Sequence, residues 1–128
     1  MRQVRENLYI SDLRGAEEQG DKFDTVITLS QSEPDVPHKS FSIQDHKKHD
    51  YDVFKAAVEA TIEALQNNDK TLVHCQAGIS RSVSVASAAL AVLEDKPVNE
   101  VVQDCEAPSL RPNLHLLGSA KKAKSELA

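Results

Sequence analysis

Thr71-Leu72-Val73-His74-Cys75-Gln76-Ala77-Gly78-Ile79-Ser80-Arg81-Ser82 is the stretch on which the reading of this chain turns. Its first three residues are apolar or β-branched and predict a strand. A short run with a nucleophile, a glycine, an arginine and hydroxyls follows. Residues 82–93 are then rich in Ala, Val and Leu with few polar positions, which predicts a helix buried on most sides. The layout is strand, tight loop, helix N-terminus. Unpaired N–H groups at the helix start and the helix dipole make such a loop an anion cradle.

Strands and helices alternate on either side of it. Leu8-Tyr9-Ile10 predicts a short strand, after which Ser11 or Asp12 caps a helix reaching about Gly20. Residues 25–29 predict a buried strand, and residues 31–39, with Pro34 and Pro37, a loop. Ser40-Phe41-Ser42-Ile43 alternates as a strand does, and residues 44–52 are polar loop. Residues 53–67 predict a helix with Phe54, Val58, Thr61, Ile62 and Leu65 on one face. Pro97 suits the first position of a helix whose apolar side is Val98, Val101 and Val102. Pro108 and Pro112 break the chain, and a last helix runs from about Asn113 into a Lys-rich end. The alternation predicts an α/β fold: one three-layer domain over residues 1–128, with a mainly parallel central sheet flanked by helices. In such sheets ligands bind beyond the carboxyl ends of the strands, where the loop after Val73 lies.

The bulk properties narrow the partners. At 128 residues the chain can bury a core without metal or disulfide staples. A net charge of −5 argues against general binding to nucleic acid or an anionic membrane. Cys75 and Cys105 make no disulfide framework and fit a reducing compartment. No apolar run follows Met1-Arg2-Gln3-Val4-Arg5-Glu6, so a cytoplasmic location is expected. The most apolar run, residues 83–93, is too short and serine-interrupted to span a bilayer.

The cradle carries its own chemistry. Cys75 acts as a thiolate, and inward N–H groups from Gln76, Ala77, Gly78, Ile79, Ser80 and Arg81, together with the helix N-terminus, favour that form. Placed there, it can attack phosphorus. Gly78 supplies a backbone conformation that a side chain hinders. Arg81 folds back over the same cavity, and its planar fork grips two phosphate oxygens, which Lys does not reproduce. Ser82 can donate a hydrogen bond to the sulfur and ease its departure. His74 is expected to hydrogen-bond within the loop. A buried structural cysteine before a helix is the plain alternative, and the combination of His, Gly, Arg and Ser at fixed offsets argues against it.

The run from His74 to Ser82 resembles the active-site signature of cysteine-dependent protein tyrosine phosphatases, and Ala77-Gly78-Ile79-Ser80-Arg81-Ser82 is similar to the version in the dual-specificity branch. Asn7-Leu8-Tyr9-Ile10-Ser11 is similar to that branch's opening strand. Arg111-Pro112-Asn113 with Leu116 or Leu117 resembles the segment that begins its last helix. The resemblance spans about residues 4–120. It implies a protein tyrosine phosphatase-like fold and hydrolysis of phosphate monoesters through a phosphocysteine intermediate, with no metal and no cofactor. It implies a general acid just after the strand that precedes the long helix, where Asp45 fits best. Asp50 and Asp52 sit where a helix N-cap is expected. It also implies that Asn113 hydrogen-bonds backbone near the cradle, against the plainer role of a helix cap.

The chain is far shorter than the larger phosphotyrosine-specific branch, and no counterpart of that branch's tyrosine-recognition loop is found. The resemblance therefore implies a shallow cleft, open to phosphotyrosine, phosphoserine and phosphothreonine in phosphorylated proteins. The cradle holds no lysine, which disfavours inositol phosphates, while scarce aromatics disfavour RNA 5′-phosphate. A metabolite phosphate, a rhodanese-like or arsenate-reducing activity, and a catalytically inactive phospho-binding module are the competing readings. His46, Lys47, Lys48 and His49 read as a solvated charged loop, with a basic rim that steers anionic substrate as the alternative, and His38, His46 and His49 match no closed metal site. Cys105 reads as a helix residue on the Val98–Val102 face, with a redox role beside Cys75 as the alternative.

Overall fold

The structure, a computed structural model, describes residues 1–44, 49–77, 79–107 and 111–128. Five strands form one sheet: β1 (Arg2–Arg5), β2 (Leu8–Ser11), β3 (Thr25–Thr28), β4 (Lys39–Ser40) and β5 (Thr71–His74). Their order is β1-β2-β5-β3-β4. Only the β1–β2 pair is antiparallel. The helices are α1 (Leu13–Gln19), α2 (Tyr51–Gln66), α3 (Arg81–Glu94), α4 (Val98–Cys105) and α5 (Leu114–Leu127), with a short 3-10 turn at Gly20–Lys22. The α/β fold with a mainly parallel sheet is therefore as the alternation predicts.

The layers are unequal. Along β5, Val73 turns to the large core with Phe54, Val58, Val83 and Leu116, while Leu72 turns to a small cluster with Ala16 and Val26. Strand side chains alternate between faces, so one strand feeds both layers. The small layer holds α1; α2 and α3 pack on the opposite face, with α4 and α5 outside α3. Helix α3 lies in the middle of that face, and every residue from Ser82 to Ala91 is buried. Its Ala- and Ser-rich surface lets neighbouring helices approach closely.

The register places the site. Ser11 of β2 and Thr28 of β3 both stand opposite His74 of β5. Three parallel strands thus end level, and the loop that begins at Cys75 leaves from the centre of their common carboxyl edge.

Some boundaries differ from the sequence reading. The strand expected over residues 40–43 is formally only Lys39–Ser40, although Phe41 and Ile43 still donate main-chain hydrogen bonds to Thr28 and Leu29 at 2.8 and 2.9 Å. Pro97 is extended at φ −61° and ψ 143°, so it precedes the first turn of α4 rather than occupying it. Strand β1 gave no sequence signal because charge and exposure break its alternation. It is an edge strand held by Arg5, whose guanidinium reaches Glu94 of α3 at 2.7 and 3.0 Å and Asp104 of α4 at 2.9 Å.

Candidate active site

Main-chain bonds hold both flanks of Cys75. Its N–H donates to the Ser11 carbonyl at 3.4 Å. The Gln76 carbonyl accepts from Leu13 N–H at 3.2 Å, and the His74 carbonyl from Leu29 N–H at 3.0 Å. The cysteine is 2 % exposed, and its Sγ lies 3.3 Å from the Ser82 hydroxyl in the first turn of α3. That contact places a hydrogen-bond partner on the sulfur from the side of the helix N-terminus.

His74 is fully buried, with Nε2 2.7 Å from the Thr28 hydroxyl. Burial pushes its imidazole down to about 4, with a backbone hydrogen bond at Cys75 pulling the other way. The ring is therefore neutral near pH 7 and acts on the loop through hydrogen bonding rather than charge.

Arg81 opens α3. Its Nη1 donates to the Ile43 carbonyl at 3.1 Å, while its Nε is buried and makes no hydrogen bond among the described residues. A cavity of about 380 Å³ opens above, lined by Ser30, Gln31, Ser32, Ile43, Gln44, Gln76 and Arg81. Arg81 is the one charged side chain among these. Because Arg81 lines this cavity, its guanidinium can donate to an oxyanion that enters.

The far wall is tied to α5. Ser80 lies at the cap position of α3 but its side chain makes no cap hydrogen bond; its hydroxyl instead accepts from the Asn113 N–H at 2.7 Å. The side chain of Asn113 caps α5, accepting from His115 N–H at 2.7 Å. Asn113 thus reaches the cradle through its main chain, and its side chain takes the plainer helix-capping role. Ile79 is half-buried, and Gln76 and Ala77 are exposed at the rim.

Asp45, His46, Lys47, Lys48 and Gly78 lie outside the described residues. Asp50 does what the cap reading expects, its Oδ1 accepting from Asp52 and Val53 N–H at 2.9 and 3.4 Å. His38 turns to the Val36 carbonyl at 2.7 Å and His49 to the Ser119 hydroxyl at 2.6 Å. No group of three metal-ligating side chains occurs among the described residues. Cys105 is buried on α4, and burial pushes its thiol up. Sequence reasoning missed the carbonyls of Ser11 and Ile43 and the hydroxyl of Thr28. A main-chain acceptor leaves no mark in residue type, and Thr28 reads as an ordinary β-branched strand residue.

Residues 10–123 match the family model of the dual specificity phosphatase catalytic domain. The chain belongs to that family. It is 33% identical over 89 residues to Putative tyrosine phosphatase 123R of Invertebrate iridescent virus 6, covering 66% of this chain and 63% of that protein. It is 32% identical over 97 residues to Dual specificity protein phosphatase Mpk3 of Drosophila melanogaster, covering 73% of this chain and 23% of that protein. The chain thus spans less than two thirds of the length of these relatives. Among solved structures, human DUSP28 superposes with a TM-score of 0.83 at 22% identity, covering 99% of this chain and 97% of that one. At that identity the likeness is one of fold. No helix among the described residues is long and apolar enough to cross a membrane.

Proposed function

We propose that this dual specificity phosphatase domain hydrolyses phosphate monoesters on tyrosine and on serine or threonine of phosphorylated proteins, through a phosphocysteine intermediate. The observation that carries this is the 3.3 Å contact of Cys75 Sγ with Ser82 Oγ, in a loop whose arginine faces an open cavity.

The Cys75 thiolate attacks phosphorus in line, forming the S–P bond as the ester P–O bond breaks. Arg81 spreads its fork over the equatorial oxygens, with N–H groups of the 76–80 backbone completing the cradle. Asp45 gives its proton to the leaving oxygen. It then takes a proton from water as that water attacks the phosphocysteine, and the S–P bond breaks to return the thiolate. The Ser82 hydroxyl supports the departing sulfur. His74 and Asn113 support the loop, the first through Thr28 and the second through Ser80.

Apart from Arg81, the described lining is neutral, which suits this substrate class. Ser30, Gln31, Ser32, Gln44 and Gln76 add no charge to the cavity, which fits a single phosphoryl group on a polypeptide better than a polyphosphorylated small molecule. The test is hydrolysis of p-nitrophenyl phosphate in EDTA and reductant. Turnover that disappears in Cys75→Ser supports the reading. A folded wild type that binds phosphate without turnover would replace it with the phospho-binding module.

A further inference from the structure

Outside the cradle, helix α5 carries His115, Gly118, Ser119 and Lys122, spaced i, i+3, i+4 and i+7, so they form one stripe on its surface. The stripe faces the start of α2, and with His49 and Tyr51 it lines an open groove of about 310 Å³. The walls are built by contacts between the helices. His49 Nε2 lies 2.6 Å from Ser119 Oγ, and the Lys122 ammonium stands 4.1 Å above the Tyr51 ring. The lining is thus two imidazoles, an ammonium, a phenol and a hydroxyl, with no carboxylate among the described residues.

Gly118 is the unexplained residue. Glycine inside a helix is destabilising relative to alanine. A Cβ at this position meets nothing within 4 Å, so neither crowding nor a close backbone approach within the chain requires its absence. What the missing side chain does provide is a lower floor for the cavity, which matters only to something that enters it.

Two nearby acids, Glu126 and Asp50, are already engaged. Glu126 accepts from the Tyr51 phenol at 2.7 Å and pairs with Lys55 at 3.2 Å; these two partners, with a smaller pull from the Lys122 charge, hold its carboxyl below the usual range. Asp50 is turned to the N–H groups of Asp52 and Val53, and Asp52 lies exposed in the first turn of α2. The groove therefore suits an incoming anion.

Its position relates it to the catalytic loop. Asn113, at the start of α5, is bonded to Ser80 of the cradle. Ser119 lies about 9 Å further along the helix, from a rise of ~1.5 Å per residue. An extended peptide covers that span in about three residues.

We infer that the groove formed by His49, Tyr51, His115, Gly118, Ser119 and Lys122 is an accessory site for an acidic side chain of the substrate polypeptide, a few residues from the phosphorylated one. This rests on the protein-phosphatase reading above. The experiment compares two phosphotyrosine peptides that differ only in carrying Asp or Ala at the second to fourth positions on either side of the phosphotyrosine. Wild type is expected to favour the Asp peptide in kcat/KM by about tenfold, the scale of one ion pair. Gly118→Leu fills the groove, His115→Ala removes a wall and Lys122→Glu reverses a charge. Each is expected to erase the preference while p-nitrophenyl phosphate hydrolysis stays unchanged. Gly118→Leu is also expected to melt no lower than wild type. A wild type without preference, or a preference that survives all three substitutions, overturns the inference. Failure of the phosphatase reading shows separately, as absence of Cys75-dependent hydrolysis of p-nitrophenyl phosphate.

Discussion

Arg81 Nη1 donates to the main-chain carbonyl of Ile43 at 3.1 Å, and Ile43 N–H donates in turn to Leu29 at 2.9 Å. The guanidinium is therefore held by the segment that follows β4 before any ligand arrives, with Nε buried. In the proposed role, part of the ordering cost of gripping phosphate is met in the free protein.

That arrangement predicts a steep penalty for Arg81→Lys. A lysine keeps the charge but cannot bond both the Ile43 carbonyl and two phosphate oxygens. The expected loss in kcat is on the order of 10²–10³, as for removal of one transition-state donor. Inhibition by free phosphate should weaken as well. Near wild-type kcat in Arg81→Lys would mean that charge alone suffices.

Ser82→Ala should act on the second step. The hydroxyl is 3.3 Å from the sulfur, and a hydrogen bond to a charged group is worth about 1.5–3 kcal/mol. Breakdown of the phosphocysteine should slow by about tenfold to a hundredfold, with rapid-mixing assays showing a burst of p-nitrophenol. Equal slowing of the burst and the steady state would place Ser82 in the first step instead.

Asp45→Ala should discriminate between leaving groups. With an alkyl phosphate the loss should be on the order of 10²–10⁴, and with p-nitrophenyl phosphate smaller, because that leaving group needs little protonation. A uniform effect across leaving groups would remove Asp45 from the acid role.

His74 makes stability depend on acidity. Its folded imidazole titrates at about 4, below the ordinary value of 6.5. The unfolded chain therefore binds a proton first, and stability is full above about pH 6.5 and falls as pH drops toward 4. The loss from this group should reach on the order of 2–3 kcal/mol by about pH 4.5. Urea unfolding of wild type and His74→Asn across that range checks it. The variant should start less stable but show a shallower slope, and identical slopes would move the effect to other groups.

The sequence displayed the centre of the molecule better than its rim. Thr71–His74 and Arg81–Glu94 were readable because apolar periodicity and a polar loop between them point the same way. Asp50 was readable as a cap because its residue type and position agree. Strand β1 was not, since an edge strand needs only half a buried face and Arg2–Arg5 supplies charge in place of alternation. The cysteine, arginine and serine proposed to carry the reaction declare their chemistry in residue type. The holding contacts do not, because the carbonyls of Ser11 and Ile43 are properties of backbone position. Asn113 shows the same division: its side chain follows the local rule for helix caps, and its link to Ser80 runs through the backbone.

Because Ser11, His74 and Thr28 stand in one register row, the loop that continues from β5 is indexed against two other segments of chain at once. Deleting one residue within β3 would turn Thr28 to the opposite face of the sheet and strip His74 of its partner, even with Cys75 and Arg81 untouched. Adding residues between β3 and β4 leaves that row intact and costs little closure entropy. The molecule is therefore rigid to length changes in its strands and open to them in the 31–38 loop. That loop follows Ser30 and begins with Gln31 and Ser32, which line the catalytic cavity. Reshaping it offers a route to a different substrate preference that leaves the reacting groups where they are.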